Sequence, residues 1–166
     1  MLCESDHDLG LHSVFQPRKV RDLFEHCSNV MSSRLDPAEW VFQSYGRACN
    51  DPRFFEVFYT NFMGKSDEIR AMFVDTDMSA QRGLLRGGVM WLVMHARGMS
   101  DTKIRALGES HSKKAMNIHP SLYGLWLDAL LETLRAFDPE FTEELDTVWR
   151  DVLNPGIKLI QSMYED

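Results

Sequence analysis

Long apolar runs are missing from this sequence of 166 residues. The most apolar window, residues 87–98, falls well short of the roughly 18 residues of a membrane span and ends in charge. Cysteine is scarce. Cys3, Cys27 and Cys49 show no CxxC spacing and leave one thiol unpaired. That excludes a disulfide framework or a zinc knuckle and points to a reducing cytoplasm. Positive charge is short as well: the formal net charge of −7 argues against a nucleic-acid face, which needs a basic surface. The N-terminal stretch MLCESDHDLGLHSVF lacks the basic start and apolar core of a signal peptide. Alternating runs of β-branched residues, internal repeats and low-complexity segments are all absent, so sheets, solenoids and disordered tails are not expected.

What is present reads as helix. With 44% hydrophobic and 26% charged residues the chain can bury a substantial core, and its ten methionines read as core filler. Asp36-Pro37, Asp51-Pro52 and Asp138-Pro139 each place a capping aspartate before a proline suited to the first helical turn, and Glu39 adds a capping box to the first. His119-Pro120 is a fourth expected start. Apolar stripes at helical spacing follow. They are Val41, Phe42, Tyr45 and Ala48; Phe54, Phe55, Phe58 and Phe62; Leu84, Leu85, Gly88 and Leu92; Tyr123, Trp126, Leu130 and Leu134; and Phe141, Leu145, Val148, Trp149 and Val152. Asn154-Pro155-Gly156 is expected to break or kink the last helix, with the pattern resuming over 157–163. The expectation is an all-α domain over 36–166, with unequal helices that suit a regular four-helix bundle poorly. Residues 1–35 form an N-terminal extension in which Val20, Leu23, Phe24, Cys27 and Val30 outline one further amphipathic helix.

One histidine stands out. Ile104, Leu107 and Ala115 mark a helical stripe, and His111 falls on it. Such a histidine can be a satisfied core residue. Alternatively, its Nδ1–H bonds the carbonyl of Leu107, helped by the Ser110 hydroxyl, which leaves Nε2 free for a metal. One imidazole among apolar neighbours cannot close a zinc site, whereas it suits haem iron, where the porphyrin supplies four donors.

The fragments FYTNF, IRAMF, DMSAQRGLL, LGESHS and LYGLWLDALL, in this order, resemble the globin family, and specifically its bacterial flavohaemoglobin-like, single-domain and sensor-type members. The resemblance covers roughly residues 36–164 and implies a globin fold, a three-over-three helical sandwich, holding haem b. It implies His111 as the proximal iron ligand and Phe73 as the wedge against the porphyrin. Tyr59 and Gln81 would be the distal hydrogen-bond donors to bound O2, and Leu85 the roof of the pocket. Tyr123 would sit near the proximal histidine. Trp126 is open between core packing and the pocket edge, and His119 could reach a haem propionate. His95 is expected exposed, and Arg82 and Arg86 solvated. The implied function is binding of O2, NO or CO, with NO scavenging as a dioxygenase served by a separate reductase, since the chain ends at Asp166. The alternative is a haem-based gas sensor signalling through the N-terminal segment, as monomer or homodimer. A globin-shaped interaction domain without haem would need the pocket residues lost, and they are present. Two departures qualify the likeness. The link from His111 to Tyr123 is longer than in many flavohaemoglobins, and the position of their proximal glutamate falls on Tyr164, beside Glu165.

Overall fold

The structure, a computed structural model, describes residues 36–165, so the expected helix at 18–32 lies outside the described residues. Seven helices and no strands occur among them. They are α1 (Pro37–Ala48), α2 (Phe54–Met63), α3 (Asp67–Met72), α4 (Met78–Ala96), α5 (Thr102–His111), α6 (Leu122–Phe137) and α7 (Glu143–Ser162). α1, α4 and α5 form one layer, crossed by α2, α6 and α7, with the short α3 turning the chain from α2 to α4.

Aromatic packing sets the layers. The fully buried Trp149 of α7 lies edge-on to Tyr45 of α1, and Tyr45 lies edge-on to Phe54 of α2 at 6.1 Å. Such contacts add roughly 0.5–1.5 kcal/mol each beyond area burial. The Trp149 indole N–H donates to the Ser44 hydroxyl at 3.1 Å, so its polar end is satisfied inside the core. Asn61 donates to Thr133, whose hydroxyl donates on to the Ala129 carbonyl, which ties α2 to α6.

Several sequence expectations shift. Phe42 and Leu84 leave their stripes for the surface, Leu84 at 61% exposure, so the inward face of α4 runs through Leu85, Val89 and Leu92. The Asp36 side chain makes no capping bond, and Glu39 accepts from Gln43 and pairs with Arg97 instead of closing a capping box. The other three proline pairs mark turns just ahead of helices. Asp51 accepts from the Arg53 amide before α2 begins, and Ser121 follows His119-Pro120 as the residue capping α6. Asp138 ends α6, while Thr142 caps α7 by accepting from the Leu145 amide. Ser66 and Asp77 cap α3 and α4 in the same way.

α7 does not break at Pro155. The proline lies on the exposed face, where water can satisfy the carbonyl it leaves unpaired, while Leu153, Gly156, Ile157 and Ile160 are buried around it. Gly156 is needed at this point: a Cβ there would lie 2.5 Å from Leu92 Cδ2 of α4. No described helix is long and apolar enough to cross a membrane.

Candidate functional site

The residues singled out in the sequence fall on the facing surfaces of α2, α4, α5 and α6. α2 is an aromatic helix because Phe54, Phe55, Phe58, Tyr59 and Phe62 recur every three or four positions and all turn inward. Tyr59 lies edge-on to Phe58 at 5.0 Å and to Phe73 at 5.4 Å. Phe73 caps the end of α3 and also meets Phe62, so the two helices share one aromatic wall. The Tyr59 hydroxyl donates to the main-chain carbonyl of Gln81 at 3.1 Å. Burial pushes its pKa up to about 12, so the phenol stays protonated and available as a donor. Gln81 is half-buried in the first turn of α4, and Leu85 is buried one turn on.

The opposite side is built by α5 and α6. α5 ends at His111, and its closing residues differ from the expected stripe: Ala115 lies beyond the helix and is exposed. His111 Nδ1 does not bond Leu107. It sits 2.8 Å from the Tyr123 hydroxyl, while the Leu107 carbonyl accepts from the Ser110 hydroxyl at 2.8 Å. The reason is supply: Ser110 already occupies that carbonyl, and Tyr123 reaches across from the first turn of α6. Burial lowers the His111 pKa below the usual histidine value and favours a neutral ring. Burial also raises the Tyr123 pKa, so the hydroxyl remains protonated. With Nδ1 engaged, Nε2 is the nitrogen left to bind a metal.

The remaining residues divide. Trp126 is half-buried and lies edge-on to Phe58 at 6.2 Å, against the aromatic row that carries Tyr59. His119 is exposed, bonded to Ser121 and edge-on to Tyr164 at 5.5 Å. Tyr164 makes no hydrogen bond to His111 or Tyr123 among the described residues; its hydroxyl donates to Asn117. His95 is half-buried rather than exposed, its ring packed where Gly156 leaves room on α7. Arg82 is also half-buried and donates to the Met78 carbonyl, while Arg86 stays exposed with its guanidinium 4.8 Å from the Phe55 ring centroid. No group of three or more metal-binding side chains occurs among the described residues, so a metal held here needs donors beyond the protein.

Comparison with known proteins decides the family. The chain is 52% identical to a Pseudomonas aeruginosa PAO1 protein whose crystal structure is described as structurally highly homologous to a human hemoglobin. The match has a TM-score of 0.77 and covers 79% of this chain and all of that one. This chain belongs to the globin family. No family model matches the globin's sequence, and no curated protein matches it. The family was therefore legible in the order of short fragments and in the fold rather than in a standard profile. Sequence reasoning missed Gly108, whose added Cβ would lie 2.7 Å from Met163 Sδ and 3.4 Å from Ile160 Cα. The signal was available: a glycine in a helix interior costs stability unless close packing requires it.

Proposed function

We propose that this globin binds haem b through His111 and takes up O2 or another diatomic gas between Tyr59 and Gln81. The observation that carries the reading is the bond from Tyr123 to His111 Nδ1, which leaves a buried neutral imidazole with one ring nitrogen free. The donor set suits haem. One imidazole is sufficient where the porphyrin provides the other equatorial donors, and the wall of Phe58, Phe62 and Phe73 is apolar enough for a macrocycle. Haem, when bound, supplies a ferrous iron with an open position for a gas ligand.

The protein's own contribution is polar and local. Tyr59 carries a protonated hydroxyl, which can turn from the Gln81 carbonyl toward a ligand bearing partial negative charge. Gln81 supplies amide donors from the same turn. Tyr123 fixes the orientation of the His111 ring. Phe73 and Leu85 exclude water, which strengthens each donor and limits loss of superoxide. Consumption of NO and O2 to give nitrate takes one electron per turnover, which a separate reductase would supply. The cysteine usage fits a reducing cytoplasm for such a partner.

Stopped-flow release of O2 from the ferrous protein tests the distal assignment. Tyr59→Phe should release O2 roughly tenfold or more faster, the equivalent of a charge-assisted hydrogen bond less the carbonyl bond it replaces. Unchanged release in both Tyr59→Phe and Gln81→Leu would remove these residues from the ligand. Rapid NO consumption with nitrate formation supports scavenging. A ligand-dependent change of oligomeric state without NO turnover would favour the sensor.

A further inference from the structure

The connection between α5 and α6, residues 112–121, has His111 at one end and Tyr123 just past the other. The two partners of one 2.8 Å bond therefore hang from opposite ends of an irregular segment. Most of that segment is exposed, and it turns through Asn117 at φ 54°, in the left-handed region that asparagine tolerates better than most residues. A segment of this kind has little packing of its own to hold it still.

Its ties come from one place, the end of α7. Gln161 donates its amide Nε2 to the Pro120 carbonyl at 2.8 Å. The Lys113 amide donates to the Tyr164 carbonyl at 2.9 Å. The Tyr164 hydroxyl donates to Asn117 Oδ1 at 2.8 Å, and its ring rests edge-on against His119. Just before the segment, Gly108 lets α5 approach Ile160 and Met163 so closely that no side chain fits between. The Lys113–Glu165 ion pair is exposed and adds little.

We infer that the end of α7, with Tyr164 as its central residue, positions His111 by clasping residues 112–121. The inference rests on the haem reading of His111. Tyr164 does not act through Tyr123; it holds the backbone from which both His111 and Tyr123 project. The Ile118 amide donates to the His111 carbonyl at 3.0 Å, so motion released at Asn117 reaches the iron-side residue directly. A ligand whose support is loose loses its metal faster, as other outer supports of metal ligands do.

Two measurements on the full chain test this. In the haem-free protein, hydrogen exchange at the Lys113 and Ile118 amides reads the clasp itself. In the haem-loaded protein, haem loss to an excess of an acceptor apoglobin, with the iron–histidine stretching band, reads the position of His111. Tyr164→Ala should speed exchange at Ile118 and haem loss by roughly tenfold each, the scale of one hydrogen bond. Tyr164→Phe, which keeps the ring and the backbone bond, should fall between it and wild type, and it serves if the alanine variant does not fold. Thr142→Ala, which weakens the far end of α7, provides a variant of lowered Tm remote from the clasp. Haem loss and a stretching band that follow Tm alone, equal in Thr142→Ala and Tyr164→Ala, would overturn the inference, as would wild-type exchange at Ile118 in both Tyr164 variants. If wild type takes up no haem, the haem reading fails by itself. Exchange at Ile118 then still decides whether Tyr164 holds the His111 backbone.

Discussion

At the scale of single residues, the site depends on which hydroxyl meets which nitrogen. Tyr123 is worth more to His111 than its ring area suggests, because its hydroxyl is the partner found for Nδ1. Tyr123→Phe keeps the packing and removes that partner. The haem-free protein should lose about 1–2 kcal/mol in urea unfolding, the cost of a buried polar group left unmatched. An unchanged midpoint would mean that water replaces the hydroxyl. The sequence placed both residues near each other through family likeness, yet assigned Nδ1 to the wrong partner. Helix geometry alone offers the Leu107 carbonyl, and only the folded structure reveals that Ser110 has taken it. Tyr59 was legible for a different reason: a phenol on an otherwise phenylalanine face must satisfy its hydroxyl somewhere.

At the scale of helices, the ties that matter join elements distant in sequence. Asp138 ends α6 and is held by Arg47 of α1 through two bonds, at 2.6 and 2.9 Å. Burial pushes the Asp138 pKa up, but Arg47, the Ser44 hydroxyl and the Glu140 amide outweigh it and hold the pKa below the ordinary aspartate value. A depressed folded pKa contributes stability that is present in full above the unfolded aspartate range and lost as pH falls through the folded value. Arg47→Ala should therefore destabilise the protein by about 2–3 kcal/mol at pH 7, because a buried carboxylate loses its cation. The gap to wild type should shrink as the pH falls below about 4, where the carboxylates protonate; a gap constant with pH would place the effect in packing instead. Gly156→Val should cost about 1–3 kcal/mol by forcing Leu92 and His95 away from α7. Equal stability would show that α4 and α7 can separate freely. Neither tie was legible, because a sequence shows Asp138-Pro139 as a helix start and Asn154-Pro155-Gly156 as a helix stop. Local chemistry supports both readings. The burial of Trp149, Leu153 and Ile157 on one face of α7 overrides the second.

At the scale of the whole molecule, seven helices in two crossed layers bring one histidine and one tyrosine from opposite layers toward the same aromatic wall. The layers were legible because each stripe keeps its spacing; the exact inward face was not, since Leu84 and Leu85 are equally apolar and only one can turn in. The central claim is that His111 binds haem iron, and absorption spectra of wild type and His111→Ala, in ferric, ferrous and O2-exposed forms, test it most directly. The account predicts a strong Soret band and a stable oxy spectrum in wild type, with proximal ligation lost in the variant. A wild-type protein that takes up no haem, or a variant with the unchanged spectrum, would contradict it.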